Sequence, residues 1–432
     1  MQDYPIGRRV RELRLRRGMS QDVVAGLVGK SERWLIGVEA GRDDVKVSDL
    51  VKLAGALRVR PEELLAPPDG QRVAEPAPSP ILRRHFPTEG RARSQDTRWG
   101  TRVGSIWFPW VVAGYGPYRP ENIETYFHAD EPEYPPDVEE GFLALGDDIR
   151  RRGARGEDVP YDSDDFKLLR FHVSSRTHGY EEPRLVLHFG PTTYFRMLAT
   201  DQRLDVPLTS GGRTYTLRER YAAEVDLRVK PVPELATHWG VGLSVVTADG
   251  LLLVSERGNT AVDPQVFFPS VAEGTTRMLD GDPDSGAPRP LSTAMRGMTE
   301  ELGISLEADE LTWLSFGANS YLCEYALIGL VRTASTFAEI EDRRSVGAAK
   351  DHWETRRLHG VEFTPSAVAA FCAQPARPFS AFGLIAIVHA LMYEYGIGKV
   401  ERAFTGIRVA VTQRLPDWLA GHPEMPGGSR LP

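Results

Sequence analysis

Apolar residues recur at helical spacing from residue 6 to residue 65, in five groups separated by short polar or glycine-containing stretches. This pattern predicts five short helices around one small core. The residues predicted to face that core are Val10, Leu13, Leu15, Val23, Val24, Leu27, Leu35, Val38, Leu50, Val51, Leu53 and Leu57. The spacing therefore indicates an all-α domain at the start of the chain.

The predicted boundaries carry residues that favour helix ends. A serine stands before the second, third and fourth helices, where its hydroxyl can accept a hydrogen bond from a free backbone N–H group. Gly41 is predicted to end the third helix, and Pro61 opens the fifth. Gly29 makes the turn between the second and third helices, which together form a helix-turn-helix. The capping serines are Ser20, Ser31 and Ser48.

Residues 6–65 resemble the XRE (Cro/CI-type) family of DNA-binding domains over every predicted helix. The residues that carry the resemblance are Arg14, Ser20, Gln21, Ala25, Gly29, Ser31, Glu39, Ala40, Gly41, Leu53, Ala54 and Leu57. The resemblance implies a double-stranded DNA operator as partner and a third helix that enters the major groove. It also implies a homodimer that binds two half-sites about one helical turn apart. The opposing interpretation is a small helical bundle with no role in DNA binding.

The same resemblance assigns roles to individual residues. Arg33 can pair with the O6 and N7 acceptors of guanine, and Glu32 can accept from the amino group of cytosine. Gln21 and Arg42 would contact phosphates. A buried pair in the family, which ties the third helix to the first, matches Arg14 and Glu39. The full set of predicted DNA contacts is Gln21, Ser31, Glu32, Arg33, Ile36 and Arg42.

Two residues of the third helix depart from the family pattern. Gly37 stands where many members carry a base-reading side chain, so direct readout is expected to rest on fewer residues. Trp34 has three interpretations: it presses on a sugar-phosphate edge, packs on a partner, or fills the core.

Charge distinguishes this segment from the rest of the chain. Residues 1–65 hold 13 basic and 10 acidic residues, a net charge of +3, whereas the whole chain carries −8 and the remainder therefore −11. Only the N-terminal segment suits a polyanionic partner.

The length of 432 residues indicates two or three domains. The two cysteines, Cys323 and Cys372, are too few for a disulfide framework and are predicted to be packed thiols in a reducing cytoplasm. The longest apolar run, from Leu384 to Met392, is interrupted by His389 and is too short to span a membrane. With no signal peptide in view, we expect a cytoplasmic protein, associated with the nucleoid when it binds DNA.

A proline-rich linker is predicted at residues 66–94, since residues 66–80 contain five prolines and almost no large apolar residue. Residues 95–235 form a predicted mixed α/β extension, with strands near 103–116, 166–173 and 184–190 and a short helix that opens on Pro191. The sequence assigns this extension no activity, and its position suggests a cap or a sensor element.

Residues 236–432 begin with two predicted strands at 239–257, joined by an Asp-Gly turn. A later strand pair lies near Leu322 to Val331, and a C-terminal helix follows Pro378. This order resembles the Nudix hydrolase family, whose sequence motif, the Nudix box, is G-x5-E-x7-R-E-U-x-E-E-x-G-U, with U an aliphatic residue. The positions that match its second half are Arg296, Met298, Glu300, Glu301, Gly303 and Ile304.

The box departs from the family at two glutamate positions. Gly297 replaces one glutamate, and Pro288 stands where the earlier one is expected, after an insertion. The insertion contains Asp280, Asp282 and Asp284 in the alternation of a calcium loop, but the required Gly and Glu are out of place. We interpret it as a flexible acidic loop.

Nudix enzymes use box carboxylates to hold Mg²⁺, which neutralises a diphosphate and activates water. Glu300 and Glu301 are the metal candidates here, and Glu273 in the preceding loop could compensate for the missing ligand. Arg296 is expected to hold the loop through a buried ion pair. The opposing interpretation of Glu300 and Glu301 is a solvated helix end before Gly303.

The sequence thus predicts a multidomain chain: an all-α five-helix helix-turn-helix domain (1–65), a linker (66–94), the mixed α/β extension (95–235), and an α+β, α-β-α Nudix-like domain (236–432). The favoured function is a transcription regulator whose Nudix-like domain binds a nucleotide-type small molecule without turning it over, with Mg²⁺ as the candidate cofactor. The alternatives are an active Mg²⁺-dependent Nudix hydrolase of a nucleoside diphosphate derivative, and a DNA-binding scaffold whose large domain mediates protein contacts.

Overall fold

The structure is a computed structural model of the 432-residue chain. The chain divides into two compact units, Met1–Ala77, here the N-terminal unit, and Pro78–Pro432, here the large unit. The predicted linker and the predicted start of the fifth helix at Pro61 lie outside the described residues. The described residues are 6–16, 19–43, 45–57, 59, 64, 100–157, 159–174, 182–210, 213–258, 266–351, 354–374 and 378–411.

The described part of the N-terminal unit contains the helices α1 (Ile6–Arg16), α2 (Gln21–Val28), α3 (Glu32–Glu39) and α4 (Val47–Ala56). The predicted caps Ser20 and Ser31 are confirmed, since each hydroxyl accepts a 3.3 Å hydrogen bond from the backbone N–H three residues later. Gly29 ends α2 with a left-handed φ of 73°. The core of the unit consists of Val10, Leu13, Val24, Ala25, Val28, Leu35, Leu53, Ala54, Leu57 and Leu64.

Some predictions for this unit are wrong. Lys46 precedes α4, so Ser48 lies inside the helix instead of capping it. Val23, Leu27 and Val51, all predicted to face the core, are 49%, 61% and 54% exposed. Because α2 carries apolar residues on both faces, helical spacing alone does not identify the face that packs.

The large unit contains both strands and helices. Its strands are β1 (Thr101–Val103), β2 (Ile106–Phe108), β3 (Trp110–Tyr118), β4 (Ile123–Phe127), β5 (Asp164–Ser174), β6 (Arg184–Thr193), β7 (Leu208–Ser210), β8 (Arg213–Tyr215), β9 (Trp239–Val246), β10 (Leu251–Arg257), β11 (Phe267–Phe268), β12 (Val271–Gly274), β13 (Leu311–Asn319), β14 (Glu324–Arg332) and β15 (Thr355–Glu362). Its α-helices are α5 (Pro136–Ala154), α6 (Tyr194–Ala199), α7 (Arg277–Asp280), α8 (Pro290–Leu302), α9 (Phe337–Ser345), α10 (Pro365–Cys372), α11 (Ala381–Tyr395) and α12 (Ile397–Ala403).

Within the described residues, eight strands form one mixed sheet in the order β11-β10-β9-β14-β13-β3, with β12 paired to β9 and β15 paired to β10. β9 and β14 run parallel, and the other pairs are antiparallel. The predicted Asp-Gly turn between β9 and β10 is confirmed, and Gly250 adopts a φ of 79° there.

Helices cover both faces of this sheet. Met298 and Leu302 of α8 pack in one core with Val241 and Leu243 of β9. The other face packs on α11, the predicted C-terminal helix, in a second core that contains the alternate residues Ala326, Ile328 and Leu330 of β14. Alternation along each strand therefore produces two buried layers, as expected for a sheet between helices. No helix in the described ranges is long and apolar enough to cross a lipid bilayer.

A three-stranded sheet, β4-β6-β5, packs on the first core, and β5 and β6 confirm two of the strands predicted in residues 95–235. The prediction that a helix opens on Pro191 is wrong. β6 stays paired with β5 as far as Thr193, which then caps α6 by accepting a hydrogen bond of 3.3 Å from the backbone N–H of Arg196. Strand pairing thus overrides the tendency of proline to start a helix.

Strand β3, from the predicted extension, pairs with β13 from the region predicted as a separate domain. Trp110 lies opposite Asn319 and Tyr118 lies opposite Trp313 in this pairing. Residues 95–235 and 236–432 therefore contribute to a single sheet within one compact unit.

Candidate functional site

The N-terminal half of α3 presents one exposed face. Ser31 fixes the start of the helix by accepting the backbone N–H of Trp34. Leu35 and Val38 are buried on the opposite side. The helix therefore offers solvent a short polar surface with one apolar residue, Ile36, which is 37% exposed. The exposed residues of this face are Ser31, Glu32, Arg33 and Ile36.

A buried polar network holds α3 against α1 and α2. Arg14 donates to both carboxylate oxygens of Glu39, at 2.6 Å from Nε and 2.9 Å from Nη2, and its Nη1 donates to the carbonyl of Met19 at 2.9 Å. Gln21, predicted to contact a phosphate, donates from Nε2 to Glu39 at 2.8 Å. One of its two amide hydrogens is thus used inside the unit.

The turn after α3 folds back over Gly37. The backbone N–H groups of Arg42 and Asp43 both donate to the carbonyl of Gly37, at 2.8 and 3.3 Å. The side chains of Arg42 and Asp43 are exposed. A Cβ atom at Gly37 would lie 1.8 Å from Oδ2 of Asp43, so this carboxylate occupies the space of the missing side chain.

Trp34 is half-buried and packs against the small core. The ammonium of Lys30 lies 5.2 Å from its ring centroid and also forms an ion pair of 3.1 Å with Asp49 of α4. Of the three interpretations of Trp34, the structure supports partial core packing, with one ring face covered by a cation.

In the large unit, Arg296 on α8 is the centre of an ion-pair cluster. Its Nη1 donates to Glu273 at 2.7 Å and to Glu300 at 3.1 Å. Its Nη2 donates to Asp280 at 2.7 Å and to the carbonyl of Gly274 at 2.7 Å, while Nε donates to Asp280 at 3.1 Å. Burial lowers the pKa of Arg296, but Asp280 and Glu273 outweigh it and raise that pKa overall.

The third acidic residue predicted for this site, Glu301, faces inward. Oε1 accepts the backbone N–H of Ala272 at 2.9 Å, and Arg344 donates to the Glu301 carbonyl at 2.5 Å. Arg257, whose guanidinium stacks 4.6 Å from the Phe268 ring centroid, forms an ion pair with Glu354 and interacts electrostatically with Glu301.

Burial also changes the ionisation of these carboxylates. It raises the pKa of Glu273 to about 7, although Arg296 opposes the shift, and raises the pKa of Glu301 well above its ordinary value. Among the described residues, no group of three or more His, Cys, Asp or Glu side chains is arranged to hold a metal ion. The carboxylates predicted to bind Mg²⁺ are instead bonded to arginines or to backbone N–H groups, so this arrangement does not fit the ion.

Sequence reasoning missed three members of the cluster. Asp280, interpreted as part of a flexible loop, is fully buried, and that interpretation is wrong for this residue. Asp282 forms a local turn in which its Oδ1 accepts the N–H groups of Asp284 and Ser285. The pairing of Arg257 with Glu354 leaves no local signal in the sequence, because the two residues are 97 positions apart.

The capped pair α2–α3, joined by a short turn and held by α1, is the architecture of a helix-turn-helix domain. Residues 5–67 match the family described as "Helix-turn-helix domain". This match supports a DNA-binding transcriptional regulator.

Comparison with solved structures gave three examples of similar chains. The restriction-modification controller protein C.AhdI from Aeromonas hydrophila is 42% identical over 14% of this chain and 91% of that chain, with a TM-score of 0.14. The hypothetical transcription factor NHTF from Neisseria is 32% identical over 15% of this chain and 72% of that chain, with a TM-score of 0.14. DR0079 from Deinococcus radiodurans is 16% identical over 32% of this chain and 74% of that chain, with a TM-score of 0.23. No match was found among the curated proteins.

Proposed function

We propose that the protein is a sequence-specific regulator that reads a double-stranded operator with the N-terminal half of α3. The observation that carries this proposal is the exposed, capped start of α3, which is fixed to α1 by the buried Arg14–Glu39 pair. A helix held at both its cap and its far end can present side chains to base edges at a defined angle. In this proposal Ser31, Glu32, Arg33 and Ile36 contact bases, while Gln21 and Arg42 contact phosphates.

Selection of operator sequences from a random duplex library, followed by binding at fixed salt, tests this proposal. Arg33→Ala is expected to relax the preference at one base position and to cost about 1–3 kcal/mol there. Lys52→Ala on the exposed side of α4 is the control and should leave every base preference unchanged. If Arg33→Ala weakens all sequences equally, Arg33 contacts the backbone and not a base. We also propose a homodimer, which light scattering and the symmetry of the selected site would check.

For the large unit we propose a Nudix-like domain that senses a nucleotide-type small molecule without hydrolysing it. Two observations support it: the sheet lies between α8 and α11, and α8 carries the box residues Arg296, Glu300 and Glu301. The hydrogen bonds that these carboxylates already form support the absence of hydrolysis. Arg296 binds Glu273 and Glu300 at once, so both carboxylates already have a cationic partner.

Thermal shift and phosphate-release assays distinguish this proposal from its alternatives. The full chain would be incubated with ADP-ribose, nucleoside diphosphate sugars and dinucleotides, with Mg²⁺ or with EDTA. A sensor is expected to show a rise in melting temperature with one ligand class, in both conditions and without phosphate release. Release that Glu300→Gln abolishes, and that the exposed control Glu341→Gln preserves, would instead establish a hydrolase. No shift with any ligand would favour the scaffold.

A further inference from the structure

The exposed face of α3 is built from side chains of α3 and from one side chain outside it. Arg33 and Gly37 are four residues apart and thus lie on the same side of the helix. The carboxylate of Asp43 fills the position of a side chain at Gly37, because a Cβ there would be 1.8 Å from Oδ2 and 2.7 Å from Cγ of Asp43. The folded-back turn, in which Asp43 N–H donates to the Gly37 carbonyl at 3.3 Å, places the carboxylate there.

We propose that Asp43 is a specificity-determining residue that reads a base in place of the side chain missing at Gly37. This inference rests on the proposed function of α3 in operator binding. A carboxylate accepts hydrogen bonds only, so the group that it selects is an exocyclic amino group in the major groove, and cytosine N4 is the favoured one. The expected contact is therefore a cytosine beside the base pair that Arg33 reads.

Electrostatics makes the proposal testable. An exposed carboxylate near a duplex is repelled by the phosphates, which weakens binding to every sequence. A hydrogen bond to an amino group strengthens binding only to sequences with the matching base. If Asp43 does nothing but repel, its removal must strengthen binding to every sequence equally. If it reads a base, its removal changes the preference at one position.

The test is operator selection and quantitative binding with the full chain and its variants. Wild type is expected to prefer cytosine at one position by about tenfold, which corresponds to about 1.4 kcal/mol. Asp43→Ala should abolish this preference and leave the position read by Arg33 unchanged. Asp43→Asn should shift the preference toward adenine, which asparagine recognises through N6 and N7. The control Asp22→Asn removes an exposed acidic group of α2 and should change no base preference.

Gly37→Ala provides a second, independent variant. Its methyl group displaces the Asp43 carboxylate while the charge of the domain stays constant, so it should reproduce the loss of cytosine preference seen with Asp43→Ala. The melting temperature of each variant would confirm that the domain is folded. Unchanged selectivity in both Gly37→Ala and Asp43→Ala would overturn this inference. If wild type selected no sequence at all, the proposed function itself would fail, and the two outcomes are thereby distinguished.

Discussion

Arg296 and Asp280 form a buried ion pair with two hydrogen bonds, of 3.1 Å from Nε and 2.7 Å from Nη2. The carboxylate of Asp280 is inaccessible to solvent and also accepts the backbone N–H of Thr276 at 2.9 Å. The pair fastens the inserted segment before α8 to the helix that carries the acidic residues of the candidate ligand site.

Asp280→Ala removes two hydrogen bonds from the Arg296 guanidinium and leaves the Thr276 N–H without its acceptor, so it is expected to lower the free energy of unfolding of the large unit by about 3 kcal/mol. Asp284→Ala, in the same segment but exposed, is the control and should stay within about 0.5 kcal/mol of wild type. Urea unfolding monitored by near-ultraviolet circular dichroism measures both. Equal stability of the two variants would show that Glu273 and Glu300 suffice to neutralise Arg296.

Ser31 and Ser48, both predicted to cap a helix, allow a second comparison of matched variants. Ser31→Ala removes the hydroxyl that accepts the Trp34 N–H and should destabilise α3 by about 1 kcal/mol. Ser48→Ala should have little effect, because Ser48 lies inside α4 and Lys46 holds the position before the helix. Hydrogen exchange of the amides in residues 20–57 reports the stability of this unit separately. A comparable loss of stability in Ser31→Ala and Ser48→Ala would contradict the start of α4 at Val47.

Two helical glycines are expected to respond in opposite directions to alanine. A Cβ at Gly7 of α1 would lie 1.7 Å from the Val38 carbonyl oxygen, so Gly7→Ala must push α1 away from α3 and destabilise the unit. Gly26 in α2 has no atom within 4 Å of its Cβ position, and Gly26→Ala should stabilise the unit by roughly 0.5–1 kcal/mol. Hydrogen exchange of the amides in residues 20–57 compares the stability of the two variants. A stabilising effect of Gly7→Ala would exclude the close approach of α1 and α3.

Asp165 on β5 makes stability depend on pH. Burial raises its pKa from 3.8 to about 7, so its contribution to stability is present below pH 3.8 and is lost as the pH rises to about 7. His238 lies 3.7 Å away, and burial lowers its pKa to about 4, so it stays neutral above that value.

Asp165→Asn cannot ionise and should gain stability relative to wild type as the pH rises, by about 2–3 kcal/mol between about pH 5 and about pH 8. Asp164→Asn, exposed on the same strand, should show a much smaller trend, because Asp164 contributes to the raised pKa of Asp165 only through its charge. Urea unfolding curves at the two pH values measure the free energy of unfolding of each variant. If the difference between Asp165→Asn and wild type did not depend on pH, the burial of a protonated Asp165 would be contradicted.

The sequence located most of the N-terminal unit because helix periodicity and serine caps are local signals. It misplaced Val23 and Leu27 because both faces of α2 are apolar, and only tertiary packing distinguishes the buried face from the exposed one. The sequence predicts Arg296, Glu300 and Glu301 on α8 and an ion pair between Arg296 and the preceding loop, but it does not identify Asp280 as a partner of Arg296. Asp280 is 16 residues from Arg296, and no pattern within the insertion indicated that one of its aspartates would be buried.

The pairing of β3 with β13 constrains how this protein can be divided or inherited. A chain that began at residue 236 would leave the hydrogen-bonding edge of β13 open, and an open apolar edge invites pairing between molecules. Recombination that transferred only the residues after 235 would thus deliver a self-associating fragment. A fragment or a recombinant has to include at least residues 110–332 to keep β3 paired with β13. Selection on the candidate ligand site therefore also acts on the segment that precedes it.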